Sequence, residues 1–435
     1  VLEKIFKLRE AGTDTRTELV AGVTTFMTMA YIIFVNPGIL SAAGMDFGAV
    51  MTATALAAGL TTILMGLFVN YPFALASGMG LNVFFTFAVA QVAGWQAALG
   101  VVFISGIVFV ILAVTGVISW IDVAVPRSLK KAVSVGIGLM IALIGFKNAG
   151  IITSDPNTFG ILSDFSSPGP VLAVIGLVIT GVLIALKVRG AILIGILLTA
   201  ALGIPMGVVS LEGASIIGRP ASLAPVFLQM DLRGALGLGF MTVFAFVFVD
   251  VFDTMGTLMG TGARAGMLDE RGRLPRVKQA MMVDAVGTMG GAVLGTSTVT
   301  TYIESAAGIT EGGRTGLTAV VVGVLFLLSL FFAPLAGLIP AEATAPALIV
   351  VGILMMAAIT GIDFEDITEA LPAFITIVLM PFTLKIADGI AAGFLTYPIL
   401  KIAAGRAREV HPLIYVLAVV ALVHFAPALS GAIGK

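Results

Sequence analysis

The chain has 435 residues, 59% of them hydrophobic and only 11% charged, with a formal net charge of -1. A soluble domain carries about a quarter charged residues, so this composition excludes an ordinary soluble fold, and the balanced charge excludes a nucleic-acid partner held electrostatically. With no cysteine and only two histidines, His411 and His424, disulfides, thiol catalysis and Cys/His metal sites are excluded, and no cofactor is expected.

Residues 1–17 are mixed in charge and lack the apolar run and cleavage site of a signal peptide. They read as a cytoplasmic lead-in lying on the membrane surface. Apolar blocks of about 17–25 residues, the length a helix needs to cross a bilayer, then recur along the chain. They predict an all-α polytopic membrane protein with 14 transmembrane segments, at 18–40, 49–70, 79–91, 95–121, 129–150, 169–187, 190–208, 235–260, 277–294, 302–311, 315–333, 343–360, 367–382 and 386–404. The third and tenth are too short to cross alone. Each follows small and turn-forming residues, Tyr71 to Gly80 and Gly290 to Thr301.

With the N-terminus cytoplasmic, only Lys147, Arg219, Arg233 and Lys385 of the 23 Lys and Arg fall on the outer side, as the positive-inside rule requires. Arg271 and Lys435 count with the inner group, and Lys385 reads as a snorkelling lysine. The run Asp363 to Glu369 reads as a solvated inner connection. Residues 411–427 are open between an interfacial helix, a re-entrant piece and an extra span; a membrane-associated terminal helix is preferred.

Spans one and eight begin near residues 18 and 235, an offset of 217 that carries Gly80 to Ser297, inside the second broken segment. Interrupted segments at matching places in two halves point to a transporter's binding site. Seven spans per half is odd, so the halves are inverted. Irregular backbone at membrane depth is tolerated only where it lines a cavity, and the two half-helices would aim their N-terminal amides at it.

Two acid-bearing segments supply the chemistry, Phe248 to Thr257 and Gly295 to Ser305. Asp250 and Asp253, three apart, share a helix face, and Thr257 joins them four residues on. Glu304 opens the second half-helix and Asn82 lies just inside the first. Carboxylates at this depth are costly unless they meet a cavity, a partner or a proton. The set, with no neighbouring Lys or Arg, accepts hydrogen bonds and can change protonation state. It suits a neutral, flat, N–H-rich solute or a cation, and suits an anion poorly. Asp253 and Glu304 are read as functional rather than as caps. Asp250 is either a proton-linked partner or a satisfied structural acid. Asn82 either faces the ligand or bonds the broken backbone. Asp284 is a structural or coupling group rather than a direct contact.

At Thr25 to Pro37, Gly78-Met79-Gly80-Leu81-Asn82, Phe248 to Thr257, Gly295 to Gly308 and Leu371-Pro372-Ala373-Phe374, the chain closely resembles the adenine/guanine/hypoxanthine permeases. These are the azaguanine-resistance type of purine transporter, within the nucleobase:cation symporter and nucleobase-ascorbate transporter superfamily. The likeness runs over nearly the whole chain.

The resemblance implies a 7+7 inverted repeat, with short strands and half-helices in segments 3 and 10. A core domain (18–121 and 235–333) would move against a gate domain (127–208 and 340–404), followed by a tail at 405–435. It implies proton-coupled import of purine bases across the plasma (inner) membrane, and gate domains that could pair in a homodimer. Asp253 and Glu304 match the acids that hold the base, and Gly80 and Asn82 match span 3 positions that line the site. Backbone amides near Gly80 and Ile303 would bond ring acceptors. Asp250 matches an acid tied to function and specificity, and the proton would ride on Glu304 or Asp250, with Asp253 beside them. Thr257, a further candidate contact, stands where uracil-type relatives carry a coupling histidine, so that role does not transfer. Ser77 replaces an expected proline, and Lys385 a small polar residue. The rivals are a sulfate-type anion transporter of the same fold, which the intramembrane acids oppose, and a membrane-embedded hydrolase, for which no nucleophile–base set is present. No enzyme activity is expected.

Overall fold

The computed structural model describes residues 2–153, 155, 160–211, 215–269 and 273–433; Arg271 and Lys435 lie outside them. Helix α1 (Leu2–Phe6) precedes α2 (Thr15–Met29), α3 (Ile32–Ser41) and α4 (Phe47–Leu64). Strand β1 (Leu75–Ser77) leads into α5 (Met79–Val83), which a π-helical stretch, Phe84–Ala90, prolongs into α6 (Gln91–Ala93). Then come α7 (Trp95–Thr115), α8 (Val117–Ala124), α9 (Arg127–Asn148), a hairpin of β2 (Ile152–Thr153) and β3 (Ile161–Leu162), α10 (Pro168–Ala185) and α11 (Ala191–Gly203).

The second half begins with α12 (Leu232–Gly237), α13 (Phe240–Arg264), α14 (Val277–Leu294), β4 (Val299–Thr301) and α15 (Ser305–Thr310). It continues through α16 (Gly316–Ser329), α17 (Ala333–Ala336), α18 (Ala341–Met356), α19 (Ile367–Thr383), α20 (Ile386–Ala403) and α21 (Pro412–Ile433). Among the described residues 9 helices are long and apolar enough to cross a bilayer. The chain is a multi-pass membrane protein.

Local chemistry sets the helix ends. Asp14 and Asp46 accept from the backbone of Thr17 and Ala49 at 2.9 and 2.7 Å, satisfying amides that a first turn leaves free. Gly116 (φ 76°) separates α7 from α8, and Gly239 (φ 83°) separates α12 from α13, conformations that glycine adopts without steric cost. Span eight therefore starts at Phe240, not at 235. Span one is likewise divided, at Ala30 and Tyr31.

The two breaks meet at the centre. β1 and β4 pair antiparallel, with Leu75 opposite Thr301, Ala76 opposite Thr300 and Ser77 opposite Val299. Gly78 N–H donates to Thr298 O (3.0 Å), and Tyr302 N–H to Ala74 O (2.9 Å). An offset of 224 residues (Thr300 against Ala76) maps each of these bonds onto the other, so a pseudo-two-fold axis passes through the Ala76–Thr300 pair. The offset of 217 taken from span starts is thereby corrected: loops of unequal length shift the starts, and the strands keep the true register.

Each strand also borrows a hydroxyl from its own repeat. Thr62 on α4 donates to Leu75 O (3.0 Å) and accepts from Leu75 N–H (2.9 Å). Thr288 on α14 stands in the same relation to Val299, at 3.1 and 3.2 Å. In this way extended backbone at membrane depth finds the partners that lipid cannot offer.

Around this centre, α4 packs on α16 and α14, and α7 on α14 and α13; separately, α9 packs on α18 and α19, with α10 against α18. Glycines allow the closest crossings. A methyl on Gly323 would sit 2.6 Å from Gly59 O, and one on Gly138 2.7 Å from Gly352 O.

Two peripheral expectations change. The lead-in does not simply lie on the membrane: Phe6 and Leu8 are buried against Leu317, and Asn70 Nδ2 donates to Phe6 O at 3.1 Å. The Asp363 to Glu369 run is not simply solvated. Asp366 caps α19 through Thr368 N–H (2.9 Å) and pairs with Arg406 (2.5 Å). Glu369 meets the buried Lys401 at 2.7 Å. The stretch 411–427 is helical in α21 and lies along α20. Tyr415 donates to Ala407 O (3.2 Å) towards one end, and His424 Nε2 is 2.9 Å from Asp388 Oδ1 towards the other.

Candidate functional site, a polar cavity between the broken segments

A cavity of about 510 Å³ opens where α13, the β1–α5 turn, α9 and α18 converge. Its polar face carries Asp253 and Thr257 from α13, Gly78 and Gly80 from the first break, and Ile303 from the second. Asp253 is open to it, and the helical spacing of three and four residues brings Asp253, Gly256 and Thr257 to one side of α13. The next wall is aromatic: Phe248 and Phe252, one turn apart, place their ring centroids 4.5 Å from each other. Ser134 and Ile137 of α9 face them across the cavity.

Of the residues singled out from sequence, Asp253, Thr257, Gly80 and Ile303 border the cavity. Glu304 directly follows Ile303 and is half-buried. Its Oε1 accepts from the Tyr31 hydroxyl at 2.8 Å, and Tyr31 sits in the break between α2 and α3. That break is what frees Tyr31 to reach across the fold. Asn82 is fully buried behind the cavity wall, where its Oδ1 accepts from the Ser297 hydroxyl; it ties the first half-helix to the second repeat.

Asp250 faces α14 and accepts from Thr288 at 3.0 Å. Asp284, which has no obvious partner in the sequence, accepts from Thr254 at 2.9 Å and Thr301 at 3.0 Å. Ser77 is absorbed in a buried network. Its hydroxyl is 2.9 Å from that of Thr296, and Asn36 Nδ2 donates to Thr296 (2.9 Å), Thr54 (2.7 Å) and Ser77 (3.3 Å). A hydroxyl there bonds the opposite repeat, as a proline ring could not.

One expectation is overturned. The site has cationic neighbours, because Lys130 and Lys131, at the start of α9, line the same cavity. Lys131 Nζ donates to Gly361 O at 2.9 Å, and Lys130 Nζ lies 5.3 Å from the Phe252 ring centroid, within cation–π range. They lie far along the chain from the acids, so only folding brings them together. Tyr31, Phe248 and Phe252 were also not singled out as site residues. The last two are interleaved with the acids, Phe248 two residues before Asp250 and Phe252 directly before Asp253, and their spacing of four is the signal that could have found them.

A bundle of membrane-crossing helices, broken at its centre around a polar cavity, defines a membrane transporter. Residues 16–392 match the family Xan_ur_permease, a permease family, and the chain belongs to it. It is 55% identical to a putative permease of Methanocaldococcus jannaschii over 427 residues (98% of each chain). It is 46% identical to the adenine permease AdeP of Escherichia coli over 421 residues (96% of this chain, 94% of that one). It is 44% identical to the guanine/hypoxanthine permease PbuG of Bacillus subtilis over 438 residues (98% and 99%). Among solved structures, the transmembrane domain of the cyanobacterial bicarbonate transporter BicA superposes with a TM-score of 0.64 at 16% identity, covering 87% of this chain and 97% of that one. That likeness concerns the fold, the 7+7 inverted repeat.

Proposed function

We propose that this permease is a secondary active importer of purine nucleobases, driven by the proton gradient. The observation that carries the reading is the cavity wall itself: a carboxylate, Asp253, beside two aromatics one turn apart, Phe248 and Phe252, with Glu304 next in sequence to the lining residue Ile303. A purine is a flat ring whose edge N–H groups need acceptors and whose faces favour aromatic contact. Asp253 and Glu304 accept from ring and exocyclic N–H groups, and backbone amides near Gly80 and Ile303 serve ring acceptors. Thr257 and Asn82 complete the polar shell, Asn82 by holding the first half-helix in place. Sequence identity of 46% and 44% to an adenine and a guanine/hypoxanthine permease, over nearly the full length, supports the same substrate class.

In this reading the helices of 18–121 and 235–333 form a core that slides against a gate built from 127–208 and 340–404. The Gly59–Gly323 and Gly138–Gly352 crossings lie within the groups, and residues of both groups line the cavity. Gly80 is one point of close approach between them, since a methyl there would strike Ile137 of α9. With the N-terminus taken as cytoplasmic in a plasma membrane, the positive-inside rule puts Lys130 and Lys131 on the inner side, and their place in the cavity lining supports an inward-facing reading. Differential affinity of the outward and inward states for base and proton supplies the coupling. The gate domains offer a surface for a homodimer.

The test is binding and uptake of radiolabelled adenine, guanine, hypoxanthine, uracil and sulfate with purified, reconstituted protein. Purines are expected to bind and to accumulate when the outside is acid. Sulfate binding without any base would overturn the proposal in favour of an anion transporter.

A further inference from the structure

Behind the cavity wall lies a second pair of acids, neither of which lines the cavity. Asp250 and Asp284 are 1% and 0% exposed, and each has one carboxylate oxygen, Oδ1, with no protein partner. They are joined by crossed hydrogen bonds. Asp250 and Thr254 are one turn apart on α13, and Asp284 and Thr288 one turn apart on α14. Thr254 donates to Asp284 (2.9 Å) and Thr288 donates to Asp250 (3.0 Å). The chain thus repeats Asp-x-x-x-Thr on two facing helices, each threonine serving the other helix's acid. Among the described residues no Lys, Arg or His pairs with either carboxylate.

Two buried carboxylates without a counter-cation cannot both stay ionised at reasonable cost. The hydrogens at Thr288 point to where a proton belongs. Its Oγ1 accepts from Val299 N–H and stands 3.0 Å from Asp250 Oδ2 and 3.1 Å from Val299 O. One hydroxyl hydrogen can serve only one of those two acceptors. A proton on Asp250 satisfies both, for Asp250 then donates to Thr288 and Thr288 to Val299 O. Asp284, accepting from Thr254 and Thr301, is the member furnished to remain charged.

We propose that the Asp250–Asp284 pair is the proton-binding site of this transporter, separate from the base contacts Asp253 and Glu304, and that strand β4 reads its occupancy. This deepens, and rests on, the proton-coupled reading above. A proton delivered from the cavity side adds to an Asp250 oxygen, and the water that carried it is left behind. Loss of the proton turns the Thr288 hydrogen to Asp250 and strips Val299 O of its side-chain donor. Val299 and Thr301 are the ends of the strand that carries Tyr302, Ile303 and Glu304 to the base. Among the described residues, the titratable group facing the pair is Asp253 from α13. The packed helices α4 and α7 present threonines, glycines and apolar side chains there.

The test uses the full chain in liposomes. Asp250→Asn and Asp284→Asn are examined for base binding, for base exchange without a gradient, for accumulation driven by a pH gradient, and for proton entry reported by an internal dye. Infrared spectra of the same proteins report a protonated buried carboxyl. The expected result is a carboxyl band in the native protein that Asp250→Asn removes, with binding and exchange kept and pH-driven accumulation and proton entry lost. Undiminished proton-driven accumulation in both variants overturns the proposal, as does accumulation driven by a sodium gradient alone. If either Asn variant fails to fold, Thr288→Val serves in its place, and an unshifted pH dependence of the carboxyl band counts against the pair. Should the native protein bind no base yet keep the band, the purine reading fails and the proton site stands.

Discussion

The two strands at the centre of the molecule share a scaffold and differ in chemistry. β1 and β4 are interchangeable as backbone. Each takes a threonine from the second helix of its repeat, Thr62 or Thr288, and each ends in a bond to the other's entry residue. Their side chains diverge. The first break carries Leu75, Ala76, Ser77, Gly78 and Gly80. Under the offset of 224 the counterpart of Gly80 is Glu304, and the second repeat holds the four acids Asp250, Asp253, Asp284 and Glu304. Symmetry solves the problem of extended backbone in lipid. Asymmetry leaves the first break without a side chain at Gly80, where it meets α9, and gives the second repeat its acids.

The acids are expected to show the largest effects. Asp253→Ala or Glu304→Ala should abolish base uptake, each deletion weakening binding about ten- to a hundredfold, the worth of about 1.5–3 kcal/mol for a hydrogen bond to a charged group. Wild-type-like uptake by either variant would place the base elsewhere. Gly80→Val should leave the protein folded but stop transport, because the new side chain meets Ile137 where the two helix groups pass; uptake kept by that variant would deny that the groups slide there.

Next in size are the paired threonines. Thr62→Val and Thr288→Val should each cost about 1–3 kcal/mol of stability, the penalty for unsatisfied buried backbone, read from thermal melts in detergent. Only Thr288→Val should also move the pH dependence of uptake. An equal movement by Thr62→Val would erase the distinction between the repeats. Tyr31→Phe, which leaves Glu304 without its hydroxyl donor, should weaken base binding about fivefold, from about 1 kcal/mol for one hydrogen bond, as measured by titration.

The smallest effect concerns the cluster after α20. Hydrogen bonds from Arg406 and then Lys401 hold the Glu409 carboxyl down at about 2, and Thr368 with Arg406 holds Asp366 below the usual range. Both folded values are depressed. The stabilisation is therefore complete above the ordinary carboxylate range and is lost as pH falls through it towards 2. Because Glu409 is exposed and Asp366 and Arg406 are partly so, the loss should be slight and weakened by salt. Arg406→Gln should flatten the acid limb of a melting-temperature profile, and an unchanged limb would show that the cluster adds nothing.

The crossing helices, the two breaks and the presence of costly acids were written in the sequence. Each is a property of a short stretch: an apolar run long enough for the bilayer, a cluster of small residues that cannot continue a helix, a carboxylate where only function or a partner tolerates one. What surrounds each acid was not written there. Tyr31 meets Glu304, Ser297 meets Asn82, and Lys130 enters the cavity of Asp253 across long stretches of intervening chain, and such contacts leave no local pattern. The division of labour between Asp253, on the cavity, and Asp250, three residues away yet facing α14, was likewise decided by tertiary packing, because a helix turns neighbouring carboxylates towards whatever the rest of the fold has placed beside them.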